Sequence, residues 1–370
     1  MAQGLSERGV SVTAVCSYHL PRVGSSARPQ GVAWRFRPSW GRLVEVPQEA
    51  PASPRRARAV VHVPYRRRVA AHGAPGRQSG GGVPPSLFML AVPSLTRRGV
   101  RIVGIVHDLQ GVYAARKSGL ASRLIEKAIS FVERRAFDAC DHLIFLSETM
   151  RDVTLRAYDI ERSKTSVHYP FVTIPDVDVQ RHASRLDMYF DSGRKSLVYS
   201  GALGEKQAPD KLVSLFIRIL DLHPDWEARI FSQGPVFERL KQEVRHERLR
   251  FYPLVDAELL PALLNRSDVQ VVPQEAGTSD GSLPSKLPNI MAAGARVLCI
   301  TDQGSELEKL VGSYSAGEVS TTWDMDACIL AFRRVAVKDR PSVAHVETLL
   351  RQFTLEGLID RIVNLEGAKK

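Results

Sequence analysis

Residues 278 to 298 read TSDGSLPSKLPNIMAAGARVL, a polar, glycine-containing loop that runs into small residues at helical spacing and then into an apolar strand. A helix leading into a buried strand is the repeating unit of an α/β layer. Pro284 is placed for a helix start, and Pro288 falls close enough to it that the missing donor costs little. Gly294 stands where a helix ends on a C′ glycine. The chain through Gly281, Ser282, Leu283, Pro284 and Ser285 therefore approaches a helix whose free amides form an anion site. Lys286, in the expected first turn, opposes the dipole of that helix. A bound anion accounts for its place there.

The same alternation extends over the whole second half. Apolar strands are expected at 196–200, 227–231, 249–252, 268–272, 296–300 and about 316–320. Between and after them lie helical segments at 210–221, 235–246, 256–265, 284–293, 305–311 and 325–336. Six alternations make a complete Rossmann-like domain. Upstream, RIVGIV at 101–106 and HLIFL at 142–146 read as strands around a helix at 120–139, with Ser147 capping the next helix. Strand, helix, strand, helix again implies a parallel sheet.

In open parallel sheets ligands lie beyond the carboxyl ends of the strands, so the loops that follow strands carry the chemistry. YSGALGEKQ sets Gly201 and Gly204 after one strand and Lys206 just beyond them, which lets backbone approach a bulky anion and adds a point charge for phosphate. On its own, such a turn is common. FSQGPVFERLK places Gly234 and Pro235 where a strand ends and a helix begins, and a plain cap explains it equally well.

The net charge of +11 is local. Between Glu49 and Asp108 there is no acidic residue and no lysine, but ten arginines, so the rest of the chain is nearly neutral. Nucleic-acid sites interleave Lys, Arg and aromatics on a patterned surface, whereas this interval is rich in Arg, Ala, Pro, Gly and Val with neither helical nor strand period. It is expected to be disordered over 50–83 and not to bind nucleic acid. Cys16, Cys140, Cys299 and Cys328 stand singly in apolar surroundings, as buried free thiols do in a reducing compartment. The start, MAQGLSERGV, has no apolar signal-peptide core, and no window reaches the roughly 18 apolar residues of a membrane span. The expected setting is cytoplasmic.

Together SGALGEKQ, FSQGPVFERLK, SDVQVVPQ and LPSKLPNIMAAGARVL resemble, in order and spacing, the retaining glycosyltransferases of the GT-B type, family 4. The PSKL turn before a small-residue helix narrows the resemblance to bacterial exopolysaccharide and colanic-acid type enzymes. It extends back through SETM and VHDLQGVYA to MAQGLSERGVSVTAVCSY, over most of 1–20 and 84–366. The resemblance implies two Rossmann-like domains facing a cleft: an acceptor-side domain over 1–180, and a nucleotide-sugar-binding domain with a terminal helix over 193–370. Lys206 would match the lysine that grips the donor diphosphate. The amides of Ser282, Leu283, Pro284's neighbour Ser285 and Lys286 would cradle the same group. Gly201 and Gly204 would admit it, and the loop carrying Gly234 would lie near the base. His107 and Asp108, after a strand of the first domain, would face the sugar and act in catalysis.

The implied substrate is a UDP- or GDP-sugar, the acceptor a glycan or polyprenyl-linked sugar, with peripheral contact at the inner membrane face. No cofactor or metal is implied, because lysine and amides can stabilise a leaving diphosphate. There are departures. Asn289 falls where many family members carry a ribose-binding glutamate and would still hydrogen-bond a ribose hydroxyl, without charge assistance, or Glu275 or Asp280 would serve instead; Ala202 replaces a frequent arginine. The N-terminal domain is expected to be incomplete, since AQGLSERG reads as the end of a first helix running into VSVTAVC, with no strand before it. A catalytically impaired remnant that only binds nucleotide is the alternative reading, and a nucleotide-sugar 2-epimerase a further one.

Overall fold

The computed structural model describes residues 5, 8, 12–16, 34–35, 42–45, 58–63, 101–107, 109, 120–175, 178–190, 193–279 and 283–365. The chain forms two compact units. It passes from the first to the second at Tyr169 and Pro170, and from Leu355 onward it belongs to the first again.

The first unit is built on seven strands: β1 (Val12–Cys16), β2 (Trp34–Arg35), β3 (Arg42–Glu45), β4 (Arg58–Val63), β5 (Arg101–Val106), β6 (His142–Phe145) and β7 (Thr165–Val167). Their order in the sheet is β2-β3-β1-β4-β5-β6-β7. β1 and β4 to β7 run parallel, while β3 is antiparallel to both β1 and β2. Helix α1 (Leu120–Asp138) connects β5 to β6, and α2 (Glu148–Tyr158) follows β6. Ile102, Val106, Val132, Phe137, Leu143, Phe145, Met150 and Tyr158 make one buried cluster between these helices and the sheet. Ser147 caps α2 as expected, its hydroxyl accepting from the Met150 amide at 3.0 Å.

One expectation about this unit needs correcting. Residues 58–63, inside the interval read as disordered, form β4, a central strand paired with β1 on one side and β5 on the other. A strand with neighbours on both sides in a parallel sheet reads without polar–apolar alternation, and 59–63, AVVHV, is a mostly apolar run of that kind. The remainder of 50–83 lies outside the described residues. The last helix, α11 by chain order (Leu355–Asn364), was expected with the second domain but groups with the first, where Asp360 pairs with Arg8 and Leu358, Ile359 and Ile362 are buried.

The second unit is a six-stranded parallel sheet: β8 (Lys195–Ser200), β9 (Trp226–Ser232), β10 (Leu249–Pro253), β11 (Val269–Pro273), β12 (Arg296–Ile300) and β13 (Gly317–Ser320). Its order is β10-β9-β8-β11-β12-β13. In terms of this unit alone that is 3-2-1-4-5-6, the doubly wound order whose switch point lies between the first and fourth strands. Here these are β8 and β11, paired through Leu197 with Val269 and Val198 with Gln270.

A short helix, α3 (Val179–Ala183), precedes this sheet. The helices that alternate with its strands are α4 (Pro209–Leu222), α5 (Pro235–Glu243), α6 (Leu260–Arg266), α7 (Leu287–Ala292), α8 (Glu306–Gly312) and α9 (Met325–Ala336), with α10 (Val343–Leu350) beyond. Leu212, Phe216, Ile219, Ala228, Ile230, Leu298, Ile300, Phe332 and Val335 dominate the larger core. Two helices start later than expected, for one reason. A proline lacks the amide that would bond the carbonyl four residues back, so it is tolerated only in the first turn. Pro288 thus moves the start of α7 from 284 to Leu287, and Pro261 moves that of α6 from 256 to Leu260. Lys286 becomes the N-cap of α7 rather than a first-turn residue.

Of the four cysteines, Cys140, Cys299 and Cys328 are buried free thiols. Burial pushes the Cys140 thiol up to about 12, which keeps it protonated and inert as a nucleophile. Among the described residues no helix is long and apolar enough to cross a membrane.

Because unit two carries its own sheet and core, the excised segment Pro170–Thr354 is expected to unfold in urea as a single cooperative transition seen alike by fluorescence and circular dichroism. Non-coincident transitions would show that its core depends on the rest of the chain.

Candidate functional site

The chain leaves β8 through a turn that only glycine accommodates easily. Gly201 has φ +138°, and its amide donates to the Phe231 carbonyl at the end of β9 at 3.0 Å. The turn then folds on itself: the Gly204 amide donates to the Gln207 side-chain oxygen at 3.0 Å, and Glu205–Gln207 make one 3-10 turn that carries Lys206. Lys206 is half-buried. Its carbonyl accepts from the Glu275 amide at 2.8 Å, which ties the loop after β8 to the loop after β11. These are the two loops that flank the switch point.

The β11 loop is anchored residue by residue. Gln274 is buried, its amide donates to the Ile300 carbonyl at 2.8 Å, and its side-chain oxygen accepts from the Thr301 hydroxyl at 2.7 Å. The Asp302 carboxylate, just past β12, accepts from the Gly277 amide at 2.7 Å and from the Ser279 amide and hydroxyl at 3.2 and 2.6 Å. Gly281, Ser282 and Asp280 lie outside the described residues. The loop resumes at the buried Leu283, continues through Pro284 and the exposed Ser285, and arrives at Lys286.

Lys286 is the residue that bridges the two loops. Its ammonium nitrogen lies 3.8 Å from the centroid of the Tyr199 ring, within cation–π range. Tyr199 is the penultimate residue of β8 and is fully buried. A Cβ placed on Gly201 would stand 3.3 Å from the same nitrogen. The lysine from the loop after the fourth strand thus reaches the exit of the first.

The other expected residues divide. Gly234 has φ +101° at the start of α5, beside the exit of β9, with open space where a side chain would be. Asn289 is held differently from the ribose contact expected of it. Its side-chain oxygen accepts from the Thr173 and Ile174 amides at 2.7 and 3.3 Å, and its amide group donates to the Thr173 hydroxyl at 2.9 Å. It staples the segment entering this unit onto α7, a role no spacing in the sequence announces. Glu275 is paired with Lys211 at 2.6 Å. His107 follows β5 in the first unit and is half-buried, and Asp108 lies outside the described residues. A cavity of about 230 Å³ opens elsewhere, against Asp210, Lys211, Ser214 and Trp323, and no residue of the switch point lines it. Its charged rim is already paired, Lys211 with Glu275 and Asp210 with Arg239.

Tyr199 and Asp302 were not among the expected residues. Both occupy strand ends, at positions five and just beyond, and that placement was the available signal.

Comparison with known proteins follows the same division of the chain. Residues 1–174 match the model of Glycosyltransferase Family 4 and residues 183–341 that of Glycosyl transferases group 1. The putative colanic acid biosynthesis glycosyl transferase WcaI of Escherichia coli (strain K12) is 26% identical over 304 residues, which cover 76% of this chain and 72% of that relative. Among solved structures, WaaG, a glycosyltransferase involved in lipopolysaccharide biosynthesis, superposes with a TM-score of 0.60 at 14% identity, over 83% of this chain and 90% of its own. A trehalose-6-phosphate synthase studied for glycosyltransfer with retention gives 0.60 at 11% identity, over 84% and 73%. The chain is a family 4 glycosyltransferase of the GT-B fold.

Gly201 tests the site's packing. Gly201→Ala is expected to cost about 1–3 kcal/mol of stability in urea titrations, because φ +138° is a conformation that L side chains rarely adopt. An unchanged midpoint would show that the turn relaxes freely.

Proposed function

We propose that this glycosyltransferase takes a sugar from a nucleoside diphosphate sugar and passes it, with retention at the anomeric carbon, to a glycan or lipid-linked acceptor in cell-surface polysaccharide assembly. One observation carries the reading: the Lys286 ammonium stands at the switch point, beside the Gly201 turn, where an open parallel sheet receives ligands. Polysaccharide assembly is supported by the relatives, WcaI for colanic acid and WaaG for lipopolysaccharide. Retention is supported by the family resemblance and by the likeness to trehalose-6-phosphate synthase.

In this reading the bond that breaks joins the sugar's anomeric carbon to the diphosphate, and the charge that develops on the leaving oxygens falls to Lys206 and Lys286. Cations fixed before the reaction stabilise that charge without reorganising during it. No resident metal or cofactor is assigned a step. The glycine at 201 keeps side-chain bulk away from the diphosphate, and the open space beside Gly234 is the place assigned to the base. His107 and Asp108, from the first unit, are assigned to the sugar and acceptor. Work at the cytoplasmic face of a membrane follows from a lipid-linked acceptor.

Calorimetry with UDP and GDP tests the donor half. Lys286→Ala and Lys206→Ala should each weaken nucleoside diphosphate binding by about 1.5–3 kcal/mol, the worth of a charge-assisted hydrogen bond, and leave uridine or guanosine binding unchanged. Loss of stability with diphosphate affinity intact would reduce both lysines to structural residues.

The acceptor half has its own measurement. His107→Ala and Asp108→Asn should lower transfer turnover, read as release of UDP or GDP, while leaving nucleotide affinity close to wild type. Parallel loss of nucleotide binding would place the pair in the fold rather than in the chemistry.

A further inference from the structure

We infer that Tyr199 is a positioning residue of the diphosphate site, its ring holding the Lys286 ammonium against the Gly201 turn; the inference rests on the donor reading above. A lysine carries its charge on a flexible four-carbon stem and loses much rotamer freedom when fixed. Something must select one pose. The Tyr199 ring presents its negative face to the ammonium at 3.8 Å, and a buried cation over a ring gains more than an exposed one.

The ring is itself immobile. Tyr199 is fully buried in the cluster with Leu197, Leu212 and Leu298, on a strand with a neighbour on each side, and is itself paired with Ile230 of β9. Its hydroxyl donates to the Ala202 carbonyl, one residue past Gly201. One side chain therefore joins three things: the strand, the glycine turn and the ammonium. A phosphate entering over Gly201 would meet a lysine already in place. A tyrosine serving only as core filling would need neither the hydroxyl bond to the turn nor the lysine on its face.

Titrations of the full chain with UDP and with uridine decide between these roles, using Tyr199→Phe, Tyr199→Leu, Lys286→Ala and the Leu/Ala double variant. Tyr199→Leu should weaken UDP binding by about 10-fold with uridine binding unchanged, whereas Tyr199→Phe, which keeps the ring, should stay within about threefold of wild type. Because the tyrosine acts through the lysine, the double variant should be no weaker than Lys286→Ala alone.

Wild-type UDP affinity in Tyr199→Leu, equal losses for uridine, or losses that multiply in the double variant would each leave Tyr199 as core filling. In those cases the donor reading would stand, provided Lys286→Ala still loses diphosphate affinity. If Lys286→Ala loses nothing, the donor reading fails and takes this inference with it.

A second measurement does not depend on any Tyr199 variant folding. After reductive methylation with carbon-13, the Lys286 methyl resonance, identified by its absence in Lys286→Arg, should be shifted upfield by the Tyr199 ring and should move when UDP is added. A resonance at the position of exposed lysines would overturn the inference.

Discussion

Strand β8 is paired with β9 from Lys195 to Ser200 and with β11 through Leu197 and Val198, and every feature of the candidate site depends on how the chain gets out of it. A strand with two neighbours cannot bend away within the sheet plane. The exit must rise over the carboxyl edge, and Gly201 at φ +138° makes that rise while donating its amide to the carbonyl at the end of β9. Once the turn is set, the positions of Lys206 and the Ala202 carbonyl follow. The doubly wound order then brings the β11 loop alongside, because β11 is the next strand over.

Holding that second loop is a matter of entropy. Residues 274–278 and 283–286 lie in neither helix nor strand, and fixing a residue's backbone costs roughly 1–2 kcal/mol. The structure offsets this with polar anchors at the strand ends, not with apolar contacts alone. Asp302 collects three donors from Gly277 and Ser279, Thr301 holds Gln274, and Ser305 both meets Thr301 at 3.1 Å and caps α8 through the Glu308 amide. Bonds from backbone amides to a carboxylate, as at Asp302, are among the stronger hydrogen bonds available. Leu283, buried at the far end of the loop, supplies the apolar fix.

How much of this was legible follows from the kind of signal each element leaves. The strands of the second unit and the six helices that alternate with them are short and punctuated, and apolar runs bounded by glycine and proline located them, while α3 and α10 went unread. Proline also explains the misplaced starts, since a periodic pattern shows where a helix buries a face but not which residue lacks an amide donor. β4 was missed because AVVHV carries no alternation and its arginine-rich flanks masked the apolar run. Lys206, Gly201 and Lys286 stood out as candidates because glycine and a cation in a loop beyond a strand have a local meaning. Asn289, Asp302 and Tyr199 take their roles from partners 116, 25 and 87 positions away, in Thr173, Gly277 and Lys286, and no local pattern records such partners. The position of Asn289 on the small-residue helix was correct, while its contacts belong to the fold.

The shortness of α7 decides what kind of anion site this unit can offer. Six residues make less than two turns, and dipole effects at a helix end are worth about 0.3–1 kcal/mol even in longer helices. A charge-assisted hydrogen bond from an ammonium is worth more, about 1.5–3 kcal/mol. The lysine at the N-cap of α7 therefore outweighs the helix it precedes, and the small opposition between its charge and the helix dipole is a minor cost. The ten arginines between Glu49 and Asp108 hold nearly all of the net +11, and residues 170–354 include none of them. In the proposed reading, attraction for a diphosphate in this unit is short-range, concentrated in two side chains, and only as strong as the positioning of those chains allows. In that same reading the buried Tyr199 ring beneath the Lys286 ammonium would carry functional weight through its hold on that side chain.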